Sequence, residues 1–449
     1  MKTEKFLLII FISFLVGMNI NAQSPNWSLI KNATVPVVSI PSEFSTPYKQ
    51  PLSGGGWEDG IFISRNGLNL YCIYVPVDLF SWTFFGPADP TDFSSYSRGP
   101  TFGMDLITNP VGATEWLQGD ILYAHRNSIT DSFNVWQLSN LATSVFSEGA
   151  PQINNNNSSI VDLFVYTSNN TAGYSTDIVL LKNSALNPLV QGTFLPSPVN
   201  TVNKEDNPHI ERLDSVNLVL FFDSDDIPGG SGQLDIWYTT SADNGLTWTT
   251  PSQVSTLNTA NGEQQPHLYK DNNSDWYIYY TGSNIGTGKP EIYRAKQGTI
   301  GTWNNWINKE SVIGAGNSFG VGEPTLTQNG DISFVVVYAD TVNGTATDKY
   351  DADPWFLPKI GSPSSINVAS PNTISSIQIY PNPATETLKI ICSDIKAKDQ
   401  IQFYNSIGEF VKEFEIIQSA EININNLPNG LYFLKLKNVP QLNRKFVKQ

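Results

Sequence analysis

The sequence predicts an all-β protein: a five-bladed β-propeller closed by its N-terminal strand, followed by a small C-terminal β-sandwich. Three observations carry this. The 449 residues are 12% aromatic with 33 Gly, 28 Pro and 3 Met, a turn-rich β composition. A unit anchored on proline recurs, with Pro151, Pro208, Pro266 and Pro324 spaced by 57, 58 and 58 residues. Each unit also holds several short β-rich runs separated by turn signals, which is how a four-stranded blade reads.

Residues 1–22 begin with Lys2 and Lys5, run through an apolar stretch from Phe6 to Met18 and end at Asn21-Ala22. This is the pattern of a secretory signal peptide. The run is shorter than the roughly 20 residues a membrane span needs, and no later stretch is long and apolar enough, so no transmembrane segment is expected in the mature chain. The formal charge of -15 argues against a nucleic-acid partner. With only two cysteines, Cys72 and Cys392, neither a disulfide framework nor a cysteine-rich zinc site is expected.

The propeller is expected over 23–361. Its anchors are Glu148-Gly149-Ala150-Pro151, Glu205-Asp206-Asn207-Pro208, Glu263-Gln264-Gln265-Pro266 and Gly322-Glu323-Pro324, with an earlier copy at Glu58-Asp59-Gly60-Ile61. The first unit is longer by about 32 residues, seen as an aromatic insertion between 78 and 115. In each unit a β-rich run follows the anchor: from Leu68, Ile160, Leu218, Trp276 and Ile332. The fifth unit lacks an outer-strand signal after Trp355, and Trp27-Ser28-Leu29-Ile30-Lys31 has the missing form, so this segment is expected to complete the last blade and remove an open edge.

Residues 362–376 have a linker composition, and 377–449 alternate in short segments as a small antiparallel sandwich. This end carries nine Lys or Arg against seven Asp or Glu, so the acidity lies in the preceding region. Tyr380-Pro381-Asn382-Pro383-Ala384, Tyr404-Asn405-Ser406-Ile407-Gly408 and Leu427-Pro428-Asn429-Gly430-Leu431-Tyr432-Phe433, with the basic Arg444-Lys445-Phe446-Val447-Lys448, resemble the C-terminal sorting domain of type IX secretion cargo. The resemblance implies the type IX secretion machinery as a partner, and a protein secreted or attached to the outer surface of a Gram-negative bacterium.

Three resemblances bear on the propeller. Ser241-Ala242-Asp243-Asn244-Gly245-Leu246-Thr247-Trp248 resembles the Asp-box of sialidase-like propellers, whose physical role is a hairpin staple; no arginine triad accompanies it. Glu205 to His209, Phe221 to Asp225 and Pro228 to Trp237, with Trp57 to Tyr71, resemble the WD40-like, TolB-type repeat, which implies binding or scaffolding. Glu263-Gln264-Gln265-Pro266-His267-Leu268-Tyr269-Lys270 is similar to the acid-bearing segment of arabinanase and xylosidase-type five-bladed glycosidases. That likeness implies Asp59 as base, Asp206 as the charge that tunes a partner and Glu263 as acid. Two residues separate Glu263 from Pro266 where that segment has one, and a one-residue slip on a strand turns a side chain to the other face.

The repeat itself places Glu58, Glu148, Glu205 and Glu263 three before the anchor and Glu323 one before it. Alternation would bring all five carboxylates to one mouth of the channel, with His209 and His267 beside them, to hold a ligand or cation; the alternative is that each Glu caps backbone amides of the neighbouring blade or sits solvated, and that the histidines make core or inter-blade hydrogen bonds. Calcium is the one cofactor left open, with Asp223, Asp225, Asp226 and Asp235 around Pro228-Gly229-Gly230 as candidate ligands although their spacing lacks the EF-hand pattern, and the metal is otherwise unknown. The residues favour a secreted or cell-surface propeller that binds extracellular glycan or protein; its aromatic insertion (Phe80, Trp82, Phe84, Phe85, Phe93, Tyr96) is expected to pack over the propeller, with a ligand platform as the alternative. A glycoside hydrolase is the alternative.

Overall fold

In the computed structural model the chain divides into two compact units, residues 1–364 and 365–449. The structure describes residues 25–50, 52, 55–80, 99–102, 119–141, 146–154, 160–171, 175–185, 190–340, 349–362, 377–392, 399–405, 409–416, 419–436 and 443–449. The signal peptide, the linker and most of the aromatic insertion lie outside them.

Five sheets make the first unit; each is laid down in chain order from its inner strand outward, and the outermost strands of blades four and five come from the N-terminal segment. Blade one comprises Trp57–Ile63, Asn69–Val75, Asp120–His125 and Gln137–Leu138; blade two Glu148–Asn154, Ile160–Ser168, Asp177–Ala185 and Thr193–Phe194. Blade three comprises Asp206–Arg212, Leu218–Ser224, Asp235–Ser241 and Ser252–Gln253; blade four Glu263–Lys270, Trp276–Ser283, Pro290–Gln297 and Trp306–Gly314; blade five Gly320–Leu326, Ile332–Asp340 and Lys349–Leu357. The first strands of successive blades touch in a closed circuit, blade five against blade one. A five-bladed propeller results.

The seams between blades supply the core. Each of five hydrophobic clusters spans one pair of neighbours. The cluster that closes the ring sets Trp57, Cys72 and Tyr74 of blade one against Val335, Ala352 and Phe356 of blade five. Trp57, fully buried there, contributes on the order of 2–3 kcal/mol by burial alone.

The N-terminal segment closes blade five, but through other residues than expected. Trp27–Ala33 is a helix, not a strand, started by Asn26, whose Oδ1 accepts from the Leu29 amide at 3.2 Å. Val37–Val38 then adds a fifth strand to blade four, pairing with Ile313 and Gly314. The outer strand of blade five is Tyr48–Lys49, paired with Phe356 and Trp355. Ion pairs fix this strap: Lys31 Nζ lies 2.7 Å from Asp351 and 2.9 Å from Asp353, Lys49 Nζ 2.7 Å from Asp353, and Glu43 2.8 Å from Arg294.

The Asp-box hairpin takes its expected form. Asp243 accepts through Oδ2 from the Thr247 hydroxyl at 2.5 Å and through Oδ1 from the Thr247 and Leu246 amides at 2.8 and 3.0 Å, bonds that hold its pKa down at about 2, the hydroxyl most of all, while Gly245 sits at φ 79° and Trp248 is buried.

The second unit packs a sheet of Ile377–Tyr380, Thr387–Cys392 and Ser419–Asn423 with one of Phe410–Ile416, Asp399–Asn405, Gly430–Leu436 and Asn443–Lys448. Ile390, Ile401, Phe403, Leu434 and Phe446 are fully buried between them.

Candidate functional site

The inner strands share a feature that simple alternation does not foresee. Each carries a β-bulge at the same place, breaking register after Asp59, Gly149, Asp206, Gln264 and Gly322. The next residue in each is left-handed: Gly60 (φ 53°), Ala150 (45°), Asn207 (48°), Gln265 (57°) and Glu323 (58°). Four non-glycine residues in this region, repeated around one axis, mark backbone strain held in place by the ring. Together they line an axial cavity of about 10 Å³, room for about one water molecule.

Four acids gather at this level. Asp59 accepts from Trp57 Nε1 at 3.0 Å, and its charge acts on Glu323. Asp206 accepts from the Asn207 amide at 2.8 Å. Asp223, fully buried, accepts through Oδ2 from the Gln265 amide at 2.7 Å and Asn207 Nδ2 at 3.0 Å, while its Oδ1 has no partner. Glu323 accepts from the Gln265 side-chain amide, and its own amide donates to Thr281 Oγ1 at 3.1 Å. Burial raises the pKa of all four, and the charges of Asp59, Asp223 and Asp206 push Glu323 further up.

The register resolves the one-residue slip. Asp59, Asp206 and Gln264 are the equivalent residues before the bulge, paired with Ile73, Asp223 and Thr281. Glu263 is one step earlier and turns into the seam, where it accepts from the Thr259 amide at 2.6 Å and its hydroxyl at 2.9 Å. Glu205 does the same with Thr201 at 3.1 and 2.7 Å, Glu148 accepts from Ser168 Oγ at 3.4 Å, and Glu58 is fully buried. The carboxylate ring expected from Glu58, Glu148, Glu205, Glu263 and Glu323 therefore does not form. The bulge adds a residue between the two positions, so only Glu323 reaches the cavity.

His209 and His267 lie one layer deeper, their rings 4.3 Å apart. His209 meets Gln152 at 3.2 Å and Glu211 at 3.1 Å, His267 Nε2 accepts from the Leu326 amide at 3.2 Å, and Arg65 pairs with Glu211. Burial, with Arg65 nearby, drives both imidazoles well below their ordinary pKa, so they are neutral packing and hydrogen-bonding groups. Among the described residues no group of three or more His, Cys, Asp or Glu is arranged to hold a metal ion. Phe80 is the described member of the aromatic insertion; it packs on Trp57 at 4.6 Å and on Phe319 and Tyr350. Trp82, Phe84, Phe85, Phe93 and Tyr96 lie outside the described residues. Sequence reasoning missed Gln264 as a site residue and considered Asp223 only as a calcium ligand, although lining up the positions just before each anchor exposes Gln264.

Comparison with known proteins bears on the two units differently. Residues 378–449 match the model of the secretion system C-terminal sorting domain. This unit is a type IX secretion sorting domain. It directs the protein to the cell surface or beyond, and no helix among the described residues is long and apolar enough to cross a membrane. A search of curated proteins found no match to the chain. Among solved structures the chain is similar to a thermostable family-43 glycoside hydrolase (13% identity, 70% of this chain and 96% of that one, TM-score 0.42). It is also similar to an α-L-arabinofuranosidase from Podospora anserina in complex with cellotriose (10%, 72% and 96%, 0.40) and to an endo-arabinase from Bacteroides thetaiotaomicron (13%, 72% and 96%, 0.37). These values are too low to bear on activity; the propeller fold rests on the five sheets and five seams.

Proposed function

We propose that the exported propeller binds an extracellular glycan at the channel mouth and does not hydrolyse it. The observation that carries this is Gln264. It occupies in blade four the position that Asp59 and Asp206 occupy in blades one and three, and Glu263 is committed to Thr259. A carboxamide donates and accepts hydrogen bonds, as a hydroxyl-rich ligand requires, but it has no proton to give a leaving group. Asp59 and Asp206 add acceptors for sugar hydroxyls.

Hydrolysis is the second reading, and one observation favours it. Asp59 and Glu323 are carboxyl groups whose pKa burial raises, Glu323 further by the charge of Asp59, and a raised carboxyl beside an ionised one is the pairing glycoside hydrolysis uses. In that case Glu323, not Glu263, is the acid. A polysaccharide panel assayed for both binding and release of reducing ends separates the two. Binding without release supports the proposal, and release that disappears in Glu323→Gln supports the second reading.

A further inference from the structure

The stretches that carry the sorting likeness lie far apart in sequence, and the fold brings the first, Tyr380 to Ala384, against the last, Arg444 to Lys448. The strand Asn443–Lys448 pairs on one side with Gly430–Leu436, with Leu431 opposite Val447 and Phe433 opposite Lys445. It is an outer strand of its four-stranded sheet. An edge of this kind leaves backbone amides and carbonyls open to strand addition.

Here those groups are taken up. The Asn382 side chain donates through Nδ2 to Lys445 O at 3.2 Å and accepts through Oδ1 from the Val447 amide at 2.9 Å. The Ala384 amide donates to Val447 O at 2.8 Å, and Ala384 O accepts from the Gln449 amide at 2.9 Å. The edge groups from Lys445 O to Gln449 N are thus filled in succession. A carboxamide offers a donor and an acceptor as a peptide does, so Asn382 stands in for a strand residue where Pro381 and Pro383 have no N–H to give. Ala384, fully buried in the core between the two sheets, anchors the clamp from below.

We propose that Asn382 is a positioning residue of the sorting signal: it holds residues 445–449 in the extended form that the secretion machinery reads. This role presupposes the sorting function of the unit. With the edge filled, recognition by strand addition is closed, and side chains are what the strand presents. Lys445 and Val447 are exposed beside Phe433, whereas Phe446 and Lys448 point inward and are buried. A released strand that slips by one residue would turn Lys445 and Val447 to the core face. Asn382 itself is exposed, and such hydrogen bonds add little net stability, so the clamp can be removed while the sandwich stays folded.

The test compares the wild type, Asn382→Ala and Asn382→Asp in the full chain. Delivery is the ratio of propeller outside the cell to propeller in the periplasm of a bacterium with type IX secretion. Amide hydrogen exchange at residues 445–449 is followed in the purified mature chain, with the melting transition of the sorting domain as the check on folding. Asn382→Ala should exchange roughly tenfold faster there and be delivered roughly tenfold less, with the transition retained. Asn382→Asp keeps the acceptor for the Val447 amide and loses the donor to Lys445 O, so it should fall between. If Asn382→Ala does not fold, Asn382→Asp is read by the same rule. A folded variant delivered like the wild type, or one whose exchange is unchanged, would overturn the proposal. Removing residues 378–449 in parallel separates the two claims. Delivery that survives the removal overturns the sorting role, whereas delivery lost there but kept in folded Asn382→Ala overturns the clamp alone.

Discussion

Ring closure by the N-terminal strap rests on Asp353, and replacing it with Asn measures how much. Asp353 is fully buried, with Lys31 and Lys49 at 2.9 and 2.7 Å, and the two ammonium groups draw its pKa down against the burial that would raise it. Removing one partner of a buried pair costs about 3–5 kcal/mol, because a charge is left without compensation. Lys31 retains Asp351, and Lys49, with a side chain 32% exposed, can recover water, so the low end applies, about 3 kcal/mol. The propeller has roughly 340 residues, and an unfolding entropy of about 2.1 cal/mol/K per residue gives about 0.7 kcal/mol/K. The Tm of its transition should therefore fall by about 4 °C in scanning calorimetry at pH 7. A depressed folded pKa stabilises above the ordinary carboxyl range and loses that contribution as pH falls through the folded value. The gap between wild type and Asp353→Asn should accordingly close in strong acid. A Tm within 1 °C of wild type at pH 7 would show that the strap is not what closes the ring.

Two further outcomes follow from the fold. Gly60→Val should lower the same transition by about 2–3 kcal/mol, because φ is 53° and a Cβ there would stand 3.0 Å from Ile73 and 3.3 Å from the Ala150 amide; urea unfolding measures it. Deleting residues 378–449 should leave the propeller in the periplasm, as cell fractionation with an antibody to the propeller would show, and unchanged delivery to the surface would count against the sorting role.

The sequence carried the repeat, the five units and the sorting domain, because proline anchors and turn residues punctuate a β-chain at fixed intervals. It did not carry the strap. Trp27 to Lys31 looks like an outer strand in composition, but Asn26 supplies a helix cap and the pairing passes to Tyr48 and Lys49, a two-residue strand too short to leave a periodic signal. The site was half legible for a related reason. Asp59 and Asp206 came to notice only through the glycosidase likeness, whereas Glu58, Glu148, Glu205 and Glu263 were assigned to the channel by counting in twos. The left-handed residue of each bulge breaks that count, and only Gly60 among the five advertises a positive φ by its identity. Asp223 comes from the second strand of blade three and reaches the axis through register, which no motif records.

Binding without hydrolysis is tested most directly by titrating the purified mature protein with the glycans retained on a polysaccharide panel, in a calorimeter, with product release followed in the same samples. The account expects saturable binding, weakened at least tenfold in Asp59→Asn and in Asp206→Asn, with no release of reducing ends and no change in Glu263→Gln. Turnover by the wild type that both Asp59→Asn and Glu323→Gln abolish would contradict it.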